Sequence, residues 1–149
     1  MSDRLTAVLA AIRTQTEAIG LVLDDVTLPV LEMQAVSRRQ TLDPRSMITV
    51  AKSATPEQTT RRRFGLWQTA YKIDVVLHAP YTAPDDVLRS RLYSSMRDTI
   101  VDALKKPPLA GAPDVFELDC QAADWLRPTG ESSEWSWFAC QVTATVAHA

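Results

Sequence analysis

The sequence predicts an α+β fold, with a mainly antiparallel β-sheet, an N-terminal helix and one long central helix packed on one face. Three observations carry this. Residues 82–106 repeat apolar side chains about one helical turn apart. Residues 66–79 alternate apolar and polar side chains, the mark of a strand with one buried face. Two further strand-like runs, 114–126 and 134–147, flank a turn at Gly130.

The central helix has start and stop signals. Thr82 as N-cap with Asp85 at N3 matches a capping box, and Pro84 fits a first turn, where no backbone donor is needed. Asp85 and Asp86 place negative charge at the positive end of the helix dipole. Lys105 and Lys106 suit the other end, and Pro107 and Pro108 stop it. Leu88, Leu92, Met96, Ile100 and Leu104 form the expected apolar stripe, widened by Tyr93 and Ala103. Val87 and Val101 fall on the far side, as scattered surface valines or as a second contact face for a neighbouring subunit.

The chain opens with a helix. Ser2 or Asp3 caps it, Leu5, Val8, Leu9, Ile12 and Ile19 form its stripe, and Gly20 ends it. Arg4, Arg13 and Glu17 mark its exposed side, and Asp24 and Asp25 then read as turn residues. Leu31, Met33 and Ala35 alternate with Glu32, Gln34 and Val36 as a strand, and residues 38–45 read as a connection around Pro44. Met47, Ile48, Thr49 and Val50 make a short strand, and a long polar loop or hairpin spans 52–65. Arg61, Arg62 and Arg63 sit in it, either as a solvated tip or as a contact for an acidic partner or passing DNA. In the strand at 66–79, Trp67, Thr69, Tyr71, Ile73, Val75 and Leu77 share one face. Gln68, Lys72, Asp74, Val76 and His78 share the other.

Centring the last hairpin on Gly130 sets Phe116, Leu118, Cys120 and Ala122 opposite Ala144, Val142, Cys140 and Phe138. Patterning favours this pairing or one displaced by two residues, because a one-residue slip would split the apolar set between faces. The two thiols are then close, and both are expected reduced. Trp125, Trp135 and Trp137 fall on the other face, with Trp125 opposite Trp135. They read as a cross-strand pair shielding the sheet or as anchors of a subunit interface.

Composition narrows the function. A chain of 149 residues is one domain by default, 1–149. A net charge of −2 argues against a dedicated nucleic-acid binder, and four glycines leave little room for phosphate-cradling loops. No apolar run reaches the length of a membrane span, and the N-terminus lacks signal-peptide patterning, so cytoplasmic assembly is expected. His78 and His148 are too isolated to suggest acid–base chemistry, and no zinc spacing, nucleophile elbow, Walker loop or dinucleotide fingerprint occurs. The sequence therefore predicts no enzyme, no cofactor and no metal.

With this order of elements the chain resembles the tail terminator, or tail completion, proteins of long-tailed phages. The matching features are the helix at 5–19, strands near 30–36 and 47–50, the polar excursion 52–65, the strand 67–78, the helix 83–106 and the terminal pair 115–146. The resemblance is one of layout and hydropathy over nearly the whole chain. It implies a virion protein, assembled in the host cytoplasm, that forms a ring of its own copies, usually six-fold. The ring would cap the tail tube protein, stop its growth and offer its other side to the head–tail connector protein. Double-stranded DNA would only pass through the lumen. Head–neck connector rings share this layout, and a small non-enzymatic adaptor module is the other class compatible with it. Candidate interface residues are Arg61, Arg62, Arg63, Trp67, Trp125, Trp135 and Trp137.

Overall fold

The structure is a computed structural model. It describes residues 3–33, 46–53, 55–80, 86–105, 108–122 and 135–149, with the backbone alone at Met33, Pro80 and 135–139. Helix α1 (Arg4–Ile19) is followed by the two-stranded hairpin β1 (Val22–Leu23) and β2 (Val26–Thr27). Then come β3 (Val30–Met33), β4 (Met47–Lys52), β5 (Gln58–Arg61), β6 (Trp67–Pro80), helix α2 (Val87–Leu104), β7 (Val115–Ala122) and β8 (Trp135–His148). The main sheet runs β3-β4-β6-β8-β7, and β5 pairs with β6. Both helices pack on one face of it, so the α+β expectation holds.

Helix α1 starts at Asp3, whose carboxylate accepts from the Thr6 N–H at 2.7 Å. It ends at Gly20, which takes the left-handed conformation at φ 67° and donates its N–H to the Glu17 carbonyl. Val8, Leu9, Ala11 and Ile12 are buried against the sheet and α2. Asp24 and Asp25 form the two-residue β1–β2 turn with φ of 52° and 64°, the geometry that follows the right-handed twist of a hairpin.

Helix α2 departs from expectation at its start. Its N-cap is Asp86, which accepts from the Arg89 N–H at 3.0 Å, and not Thr82. Thr82, Pro84 and Asp85 lie outside the described residues. The buried positions are Tyr93, Met96, Ile100 and Leu104, with Ala103 and Val101 packed at the core margin. Each fully buried large side chain contributes roughly 1.5–3 kcal/mol of transfer free energy. Leu88 is 80% exposed and Leu92 is also exposed, so the stripe expected at every fourth residue is wrong at its N-terminal end. With about 3.6 residues per turn, four-residue steps drift by roughly 40° each, and a row of five cannot stay on one face. The same rotation carries Val101 inward from the side where it was expected.

Strands β3 and β4 are parallel, a departure from an otherwise antiparallel sheet. The connection between them is long enough for the crossover that parallel neighbours need. Among the described side chains of β3, Val30 is buried and Leu31 and Glu32 are both exposed, so the expected alternation of Leu31 with Glu32 does not hold, while Gln34, Ala35 and Val36 fall outside the described residues. On β6, Tyr71, Ile73, Val75 and Leu77 enter the core as expected. Its second face is more buried than expected at Val76 and His78, beside Met47, Thr49 and Ala51 of β4, and Thr49 Oγ1 lies 3.0 Å from His78 Nε2.

The β7–β8 register is the two-residue neighbour of the central pairing. Leu118 faces Ala144, Cys120 faces Val142 and Ala122 faces Cys140. An irregularity between Val115 and Glu117 changes one assignment: Val115 is buried, and Phe116 is turned out of the apolar face.

Candidate subunit interface

One end of the sheet gathers the exposed aromatic and guanidinium groups. The polar excursion folds as β5, a tight turn and the start of β6, with Arg61 paired to Trp67. Arg62 N–H donates to the Leu66 carbonyl at 2.6 Å and closes the turn. Phe64 sits at its apex with φ 61°, a left-handed conformation rare for an aromatic residue, and is 97% exposed. The Arg61 guanidinium lies 6.0 Å from the centre of the Trp67 ring, which is 40% exposed. The Arg62 guanidinium lies 4.8 Å from the centre of the Phe116 ring, which is 42% exposed. The bulge in β7 is what makes Phe116 available. Alternation alone placed that side chain inside, so sequence reasoning missed it.

A polar chain fastens this end across three strands. Thr59 Oγ1 lies 3.0 Å from Thr69 Oγ1, which lies 2.9 Å from His148 Nε2. The other ring nitrogen of His148 is 3.2 Å from the Ala149 carbonyl oxygen, which only accepts. A neutral His148 therefore carries its proton on Nδ1, Thr69 donates to Nε2, and Thr59 donates to Thr69. His148 is thus a structural member of the sheet end.

The tryptophans do not all meet here. The backbones of Trp135 and Trp137 pair with Pro80 and His78, at the far end of β6 from Trp67. Thirteen strand steps separate the two ends, roughly 40 Å. Trp125, and with it the expected Trp125–Trp135 opposition, lies outside the described residues.

Elsewhere the chemistry is quiet. Cys120 and Cys140 are free, buried and in contact. A hydrogen bond with Cys140, and then burial, push the Cys120 thiol up, and both side chains lie buried in the apolar core. An open concavity of about 670 Å³ along the outer side of α2 is lined by Ser90, Ser94, Ser95, Asp98, Thr99 and Asp102, among others. Asp102 is held by Lys105 at 2.8 Å. Among the described residues no group of His, Cys, Asp or Glu is arranged to hold a metal ion, and no helix is long and apolar enough to cross a membrane. No family model and no curated protein matches the sequence.

Proposed function

We propose that this chain is the subunit of a structural ring that caps the tail tube of a phage or phage-like particle and joins it to the head connector. The observation that carries the reading is the exposed end of the sheet, where Phe64, Trp67 and Phe116 stand beside Arg61 and Arg62. Aromatic and arginine side chains are what desolvated interface centres are made of, and an apolar cluster of this kind is covered in the working state. The order of elements, helix, strands, long helix and terminal strand pair, is the layout on which the resemblance to tail terminators rests.

The arginines suit a protein partner better than DNA. Two of the three guanidiniums lie over aromatic rings of their own chain, and the net charge is −2. A lumen that lets DNA slide is served by weak phosphate contacts, since each tight one would hold the duplex in place.

Electron microscopy of the purified protein, alone and with its tube protein, tests the reading. Rings of uniform diameter and tubes closed at one end are expected. Tubes that grow to the same length with and without the protein, their ends unchanged, would refute it.

A further inference from the structure

We propose that Phe64 of one copy docks in the pocket beside the start of helix α1 of a second copy. This rests on the ring reading and names the two surfaces that meet between neighbouring subunits.

The knob is unfavourable for its own chain. Phe64 and Gly65 are the central residues of the β5–β6 turn, both left-handed, with φ of 61° and 74°. Hairpin turns of this kind favour Asn, Asp or Gly at the first of these positions, and an aromatic residue there is strained. Phe64 is 97% exposed, so its ring gains no packing from its own chain in return. Strain kept at an exposed tip points to a use outside the fold.

The hole lies at the same end of the sheet. It is a pocket of about 260 Å³ between the first turn of α1, residues 111–115 and the end of β8. Val8, Ala112, Val115 and Val146 are buried and make its floor, and Ala7 lines one side. Val146 pairs with Thr69, two residues along β6 from Trp67, so hole and knob share one end of the sheet but stand on different strands. The pocket has room for one aromatic ring and is smaller than the roughly 300–1,000 Å³ of small-molecule sites. Phe64 is exposed and leaves the pocket of its own chain unfilled, so the ring that fills it comes from another copy.

Charge agrees with shape. On the rim stand Asp3 and Asp114 against one guanidinium, that of Arg4, which interacts with the Tyr71 hydroxyl of its own chain. Beside the knob, Arg61 lies over Trp67 and Arg62 over Phe116. Arg63 is exposed, as is Asp114, and among the described residues neither side chain has a hydrogen bond or ion pair. Docking Phe64 brings the uncommitted guanidinium to a rim with an excess of carboxylate. Each copy carries one knob and one hole. Contacts between such unlike surfaces run head to tail and close into rings when their rotation closes.

Sedimentation velocity of the full chain and two variants tests this, with circular dichroism as the check on folding. Phe64→Asn removes the knob and suits a left-handed turn position. Ala7→Phe fills the hole. Each variant alone should associate at least about tenfold more weakly than wild type, as loss of a central aromatic anchor does. An equal mixture should form a one-to-one dimer and nothing larger, because one intact knob then meets one open hole. Wild-type-like association of either variant would overturn the docking, as would a wild-type chain that stays monomeric or two folded variants that form no dimer on mixing. If Ala7→Phe does not fold, Phe64→Asn alone decides: weakened association is the expected result and wild-type-like association overturns the docking. The tube-capping assay judges the ring reading separately.

Discussion

Arg89 holds Asp24 through two parallel hydrogen bonds of 2.8 Å, fastening the first turn of α2 to the tip of the β1–β2 hairpin. The same guanidinium lies 5.4 Å from the centre of the Tyr93 ring, so one side chain joins the hairpin, the helix start and the core margin. Asp24 takes a left-handed backbone in the hairpin turn, and that turn presents its carboxylate to Arg89.

Asp24→Ala and Arg89→Ala should each lower stability by about 0.5–1 kcal/mol, a range discounted for the solvent around the carboxylate. A double-mutant cycle should return most of that as coupling. The hydrogen bond to Arg89 holds the Asp24 carboxyl below its ordinary value. The folded chain therefore binds this proton less readily than the unfolded chain. Its contribution is complete above the usual carboxylate range and is lost as pH falls through the lowered folded value. Urea titrations of the four proteins at neutral and acid pH check both points. A cycle with no coupling at neutral pH would contradict the pairing.

Asp74 has the opposite sign. Burial raises its carboxyl above the ordinary range, against hydrogen bonds from Gln141 and Ser53 that lower it. Its ionised form costs stability, so the fold is best served below the unfolded value and loses stability as pH rises through the folded one. Asp74→Asn should thus raise the melting temperature at neutral pH, with a gain of up to about 1 kcal/mol. The gain should shrink as the solution is acidified into the carboxylate range. A variant less stable than wild type at neutral pH would contradict this assignment.

Leu104 and Leu88 lie on one helix and share a residue type, but not an environment. Leu104 is fully buried and Leu88 is exposed. Leu104→Ala should cost about 2–5 kcal/mol by chemical denaturation, against less than about 0.5 kcal/mol for Leu88→Ala. Similar costs at the two positions would contradict the rotation assigned to α2.

Much of the layout was legible in the sequence because it follows from local rules. Asp3 and Gly20 carry the signals that bound α1, and the alternation of Tyr71, Ile73, Val75 and Leu77 fixes the inner face of β6. The failures share a cause: one-dimensional spacing does not report rotation or an inserted residue. Four-residue spacing put Leu88 on the wrong side of α2, and strict alternation put Phe116 inside, where the bulge substitutes Val115. The parallel β3–β4 pair was hidden because its partners are not neighbours in a hairpin. Of the candidate interface, Arg61 and Arg62 were legible as residues of a polar tip, whereas Trp67, placed on the apolar face of its strand, is partly exposed and Phe64 was not singled out. Its exposure depends on the left-handed turn at the apex.

Native mass spectrometry at micromolar concentration, comparing wild type with a Phe64→Ser/Trp67→Ala variant, tests the central claim most directly. The account predicts a discrete multiple of the 16.5 kDa chain for wild type and a shift to monomer for the variant. A wild-type monomer, or the same multiple for both proteins, would contradict the claim that this end of the sheet is covered by another copy.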